Sequence, residues 1–152
     1  MRIAPGDPLA ADVRNLLDEH LADMRRISPP ESVHALDPEL LAAPEVLFLA
    51  ARDDDGALLG CGALKSLGGG DDEVKSMRTA PAARGRGVAA AVLVELIARA
   101  RQRGDRRLLL ETGTEPFFEP AARLYLRHGF VPCGPFGGYT EDPHSRYFAL
   151  TL

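Results

Sequence analysis

Glu73-Val-Lys-Ser-Met-Arg-Thr-Ala-Pro81, then Ala82-Ala-Arg84-Gly85-Arg86-Gly87-Val88-Ala89, then an Ala/Leu/Val-rich run closing at Gly104, is the stretch on which the reading of the chain turns. It reads as a strand, a tight glycine loop and a helix. In the helix, Val88, Val92, Leu96 and Ala100 fall on one line with Leu93 and Ile97 beside it, while Glu95, Arg99, Gln102 and Arg103 face out. That order makes an anion cradle, because the first turn of a helix has unpaired N–H groups and partial positive charge. Gly85 and Gly87 let the backbone bend close to a ligand, and Arg84 and Arg86 bring guanidinium groups that grip phosphate oxygens. A diphosphate suits such a loop. Glycines between arginines can equally be a solvated turn or a nucleic-acid patch, and no Gly-Lys-Ser/Thr follows to make it a P-loop.

Upstream, Val46 to Arg52 is an apolar run of strand length. Asp53-Asp-Asp-Gly56 is a hairpin turn with a solvated tip, and Leu58 to Leu67 is the partner strand. Gly68-Gly69-Gly70 turns the chain into the strand Glu73 to Ala80. Downstream, Arg106 to Thr112 is a strand whose Leu108-Leu109-Leu110 core fits burial on both faces. Pro120 opens a helix with Ala121, Leu124, Tyr125 and His128 on one stripe up to Gly129, and short strands follow at 130–133 and 146–152. Three tandem strands and a strand-loop-helix unit predict an antiparallel meander joined to a crossover, hence a mixed α/β fold.

At the N-terminus, residues 2–5 form a short strand, Asp7-Pro8 offers a cap, and Val13, Leu16, Leu17, His20, Leu21 and Met24 predict an amphipathic helix over 9–26. Ser28-Pro-Pro-Glu31 matches a capping box, and Asp37-Pro38 restarts a helical turn through Leu41. His34, between them, is either a surface or cap histidine or a residue of the acceptor site.

The length of 152 residues suits one domain spanning 1–152. With 18 basic against 22 acidic residues and a net charge of -4, a broad nucleic-acid-binding face is disfavoured, so any phosphate attraction must be local. Cys61 and Cys133 suggest neither a disulfide framework nor a metal site; both are expected to be buried or semi-buried thiols in a reducing cytoplasm. No run is long enough to span a membrane, and Met-Arg-Ile-Ala-Pro-Gly-Asp has no signal-peptide core, so a cytoplasmic protein without membrane partners is expected.

Arg84-x-x-Gly87-x-Ala89 resembles the pyrophosphate-binding signature of the GCN5-related N-acetyltransferases (GNAT). The strand ending Met77-Arg78-Thr79-Ala80-Pro81, the strand Leu110-Glu111-Thr112 and the segment Ala121–Phe130 resemble consecutive motifs of that superfamily, over about residues 46–152. Pro30–Leu36, Gly60-Cys61-Gly-Ala-Leu-Lys65 and Pro132-Cys133-Gly-Pro-Phe-Gly137 look like a small bacterial subgroup of unassigned acceptor. The resemblance implies a GNAT (acyl-CoA N-acyltransferase) fold with a central sheet of six to seven strands and about four helices. It implies acetyl-CoA as co-substrate without a metal, direct transfer to the amine of a small molecule such as an amino acid, and room for a homodimer. A non-catalytic acyl-CoA-binding module and acetylation of a protein amine are the alternatives.

Carried over by position, Met77, Arg78 and Thr79 would face the pantetheine arm. The amides of Arg84, Gly85, Arg86, Gly87, Val88 and Ala89 would hold the diphosphate. Tyr125 falls on the position of a general acid and Glu73 near that of a general base. Where many relatives have asparagine seven residues before the tyrosine, this chain has Phe118, with Thr112 or Thr114 as substitutes for the lost contact.

An attacking amine must be neutral, yet an alkylamine has a pKa of about 10.4, so a carboxylate must take its proton. Glu73 and Glu111 are the strand-borne choices. Glu73 can also be a solvated edge charge, and Glu111 a structural partner of an arginine. Tyr125 can donate to the departing thiolate, or simply pack in the core with its hydroxyl at the rim. The oxyanion would meet a backbone N–H near Met77, freed from sheet pairing by a bulge or splay. Tyr139 in the polar loop 137–144, with Arg146, Glu111 and His34, would line the acceptor pocket, and Arg78, Arg146 and His34 would suit an acceptor bearing a carboxylate.

Overall fold

Alternation along the second strand divides the molecule into two layers. In the computed structural model, which describes residues 1–152, β2 (Val46–Arg52) buries Leu49 and Ala51 on one side of a sheet and Phe48 and Ala50 on the other. Its neighbours are β1 (Arg2–Pro5) and β3 (Leu58–Gly68), both antiparallel to it, and β3 continues antiparallel into β4 (Asp71–Thr79). Asp53 shapes the β2–β3 turn, its carboxylate accepting the amides of Asp55 and Ala57 at 2.9 Å.

The crossover helix α3 (Val88–Gln102) returns the chain to β5 (Arg107–Gly113), parallel to β4. Helix α4 (Glu119–Arg127) leads to β6 (Val131–Cys133), and β7 (Ser145–Thr151) inserts between β5 and β6, antiparallel to both. The order β1-β2-β3-β4-β5-β7-β6 is a seven-stranded mixed sheet, as the resemblance implied, with four helices.

On one face, Val88, Val92, Leu93 and Leu96 of α3 pack with Leu64, Val74, Leu108, Leu110 and Phe148, together with Tyr125 and Phe130. On the other, Val13, Leu16 and Leu17 of α1 (Ala11–Ile27) and Leu41 of α2 (Pro38–Leu41) cover Cys61 and Ala63. Gly62 sets the first contact. A Cβ there would meet Met77 Sδ at 2.6 Å and Val92 Cγ1 at 2.8 Å, so only glycine lets α3 lie this close to the sheet.

Some local expectations are corrected. Asp7 does not cap α1: it accepts the Leu9 amide, Ala10 bonds to its carbonyl, and the helix starts at Ala11. Ser28-Pro-Pro-Glu31 gives one 3₁₀ turn, Pro30–Ser32, without a capping side chain, because the Ser28 amide that a capping box needs already donates to the Met24 carbonyl at the end of α1. Cys133 is exposed, since its strand is a three-residue sheet edge.

Candidate functional site

Strand β4 begins as an ordinary member of the sheet and then leaves it. Its pairing with β5 is confined to Asp71–Glu73 against Arg107–Leu109, beyond which the two parallel strands splay. On its other side the register against β3 slips between Cys61 and Ala63, so that Ser76 and Met77 together oppose Gly62. Ser76 takes φ 55°, unusual for a residue with a Cβ. Bulge and splay turn the β5-facing edge of Lys75 to Thr79 away from sheet pairing and into a cavity of about 670 Å³.

One end of that cavity is the start of α3. Gly87 caps the helix at φ 77° with no side chain bonding the first turn, and Gly85 is also left-handed at φ 76°. No carbonyl or side chain of the protein accepts from the amides of Gly85 to Ala90, six donors in succession at the positive end of a helix dipole. Arg84 contributes to the wall here, whereas Arg86 is exposed and not part of it. Such a cradle fits a diphosphate, and the splayed edge that follows fits an extended arm carrying amide groups. Coenzyme A has both parts in that order.

Met77, Arg78 and Thr79 line the cavity along that edge, and Tyr125, Leu124 and Phe118 lie across from them. Tyr125 is buried against Phe130 and Phe148, and burial, with Glu111 nearby, pushes its phenol well above the ordinary range. Phe118, in the place of the expected asparagine, packs on Gly113: a Cβ at that glycine would lie 2.2 Å from the ring. An apolar wedge thus replaces a polar contact, and Thr114 bonds Pro143 instead of facing the site.

The α1-facing side of β4 carries Glu73, Lys75 and Arg78. Glu73 is buried rather than a solvated edge charge, and its Oε2 accepts from Tyr139 Oη and from Lys75 Nζ at 3.3 Å. Lys75 Nζ also donates to Tyr139 Oη at 3.0 Å and to the His34 carbonyl at 2.9 Å. Its side chain is only 9% exposed and all three ammonium donors are taken. Lys75 escaped notice in the sequence, although its position two residues from Glu73 on a strand puts it on the same face. Glu111 has no arginine partner. Ser145 Oγ donates to its Oε2 at 2.8 Å, and partial burial raises its carboxyl to about 7.

Arg78 is buried, and its Nη2 donates to Glu19 Oε1 at 2.7 Å and Asp23 Oδ2 at 2.8 Å, both on α1. His20 lines the cavity beside it, lowered to about 4 by burial and then by the Arg78 charge. His34 lines the opposite rim, edge-on to Tyr139 at 4.9 Å, and burial lowers it too. Tyr139 stands behind Glu73 in a cluster with Phe136 and Tyr147. Arg146 is not in the wall: it lies 3.5 Å from Glu119 and over the Phe148 ring.

Residues 13–130 match the Acetyltransferase (GNAT) family. An uncharacterized N-acetyltransferase of Bacillus subtilis (strain 168), YsnE, is 46% identical over 152 residues, the whole of both chains. An IAA acetyltransferase of Azospirillum brasilense is 39% identical over 151 residues, covering 99% of this chain and 97% of the relative. Among solved structures, one described as an acyl-CoA N-acyltransferase of Klebsiella pneumoniae superposes with a TM-score of 0.81 at 30% identity, covering 99% of this chain and 97% of that one.

Proposed function

The chain belongs to the GNAT acetyltransferase family and is an acyltransferase, and from that premise we propose that it transfers acetyl from acetyl-coenzyme A directly to the amine of a small molecule. The observation that carries this reading is the uninterrupted path from six uncapped amides at the start of α3, along the splayed edge of β4, to Tyr125. When bound, acetyl-coenzyme A supplies an acyl thioester.

The α3 amides and Arg84 orient the diphosphate, and the free edge of Met77 to Thr79 orients the arm that follows. Close alignment of this kind supplies much of the rate in a bimolecular transfer. Burial keeps Tyr125 protonated at neutral pH, so its hydroxyl holds a proton ready for donation. Glu111 is the freer base. Its carboxyl titrates near neutrality and receives one hydroxyl, whereas Glu73 is committed to Tyr139 and Lys75. Glu73 then shapes the acceptor side electrostatically, and Glu111 takes the proton that the acceptor amine must lose.

Free-thiol release from acetyl-coenzyme A across a panel of amines tests the proposal. Thiol release with at least one amine, reduced by roughly 10²-fold in Tyr125→Phe with coenzyme A affinity unchanged, supports it. Coenzyme A binding without thiol release for any amine would make the protein a binding module instead.

A further inference from the structure

Basic side chains stand at several places in the cavity wall, and they are not equivalent. The charged and imidazole side chains in its wall are His20, His34, Glu73, Lys75, Arg78, Arg84, Glu111 and Arg127. Arg84 lies in the loop before α3 and is spoken for by phosphate in the reading above, and Arg127 is exposed at the end of α4. The two cations that remain, on the α1-facing side of β4, are each paired with carboxylates of the protein itself.

Lys75 spends its three donors on the His34 carbonyl, Tyr139 and Glu73. Arg78 presents Nη2 to two carboxylates, Glu19 and Asp23, and its Nε–H is sealed from solvent without a partner. Both imidazoles are shifted toward the neutral form by burial. Lys75 and Glu73 cancel each other, whereas Glu19 and Asp23 outnumber Arg78 and no cation is bonded to the Glu111 carboxyl. An acceptor carboxylate placed here would be desolvated beside an excess of negative charge, whereas an ammonium would find the Glu111 carboxyl without a cation of its own.

We propose that the acceptor is a cationic amine without a free carboxylate, and that Glu19 and Asp23 enforce this by neutralising Arg78. The proposal rests on the assignment of this cavity to acetyl transfer and says which class of amine enters it. Amino acids are thereby excluded in favour of their decarboxylated counterparts and of polyamines. Glu19 and Asp23 are specificity-determining residues that act through Arg78, one helical turn apart on α1.

The test uses matched pairs: agmatine and arginine, cadaverine and lysine, histamine and histidine, tyramine and tyrosine. Binding of each to the full chain saturated with coenzyme A is measured by calorimetry, and thiol release from acetyl-coenzyme A is measured separately. In at least one pair the amine is expected to bind more tightly than its amino acid by roughly tenfold or more. The double variant Glu19→Gln, Asp23→Asn should move that ratio toward the carboxylate-bearing member by roughly tenfold, with coenzyme A affinity and far-ultraviolet circular dichroism unchanged. Tighter binding of the amino acid in the wild type overturns the proposal, as does an unchanged ratio in a folded double variant or failure of every amine to bind. Should that variant not fold, Glu19→Gln alone is read the same way. Amine binding without thiol release would uphold the charge preference while refuting acetyl transfer, so the two readings fail separately.

Discussion

Glu111→Gln separates the electrostatics of the site from its chemistry. In the folded protein the Glu111 carboxyl rises from the usual 4.5 to about 7, chiefly because burial disfavours its charged form, with Ser145 pulling the other way. At ~1.36 kcal/mol for each pH unit, ionising it costs the folded state about 3 kcal/mol, an upper figure for a partly enclosed group. Below the unfolded value both states are protonated and no penalty applies. Between there and about pH 7 the folded chain holds more protons than the unfolded one, so stability falls as pH rises, and above that range the loss is complete. Glutamine cannot ionise and can still accept the Ser145 hydroxyl, so the variant keeps the geometry and escapes the penalty. Urea denaturation at intervals from pH 4 to 8.5 gives the difference in unfolding free energy between variant and wild type. That difference should move in favour of the variant by about 2–3 kcal/mol across the range, with its midpoint between the two ionisations. A flat difference would show that Glu111 ionises normally and would remove the reason for naming it the base. If Glu111 is the base, kcat/KM of the wild type falls below about pH 7, and the variant loses both that limb and most of its activity.

Other perturbations address the frame. Gly62→Ala places a methyl against Met77 Sδ and Val92 Cγ1 and should cost about 1–3 kcal/mol by denaturant titration, because the α3 backbone must back away from β3. Gly87→Ala meets no neighbour but forces a left-handed alanine at the helix cap, costing about 1–2 kcal/mol; calorimetry should show coenzyme A binding weakened up to about tenfold. Asp72 is buried beside Asp105, with an oxygen on each lacking a hydrogen-bond partner and Arg103 no nearer than 3.6 Å, and burial raises Asp72 to about 7. Asp72→Asn should therefore raise the thermal midpoint at pH 8 and not at pH 4.

The strands, the crossover helix and the glycine loop were legible because each has a local cause: short apolar runs bounded by turn residues, a continuous helical stripe, and glycines at left-handed positions. The wall of the cavity was legible in part. Tyr125 and Glu111 lie on strongly patterned elements, and their exposure to one cavity follows once the sheet order is set. The bulge or splay expected near Met77 had no local mark in the sequence, since Ser76 carries none of the Gly or Asn chemistry that marks a left-handed residue. Nor was the neutralisation of Arg78, which depends on carboxylates 59 and 55 positions earlier in the chain that meet it only when α1 lies across β4. Arg146 looked like an acceptor ligand for the same reason: a lone arginine near a polar loop gives no hint that Glu119 and the Phe148 ring will hold it. Pairwise charge contacts between distant segments are tertiary facts, and no local period encodes them.

The short seam between β4 and β5 has a mechanical consequence. Within the sheet itself, three residue pairs at one corner join a four-strand plate, β1 to β4, to a three-strand plate, β5 to β7, and the rest of that edge is open. A guest long enough to lie along that opening would touch both plates at once, so loading the donor is expected to stiffen the whole sheet and not merely the loop that holds its phosphates.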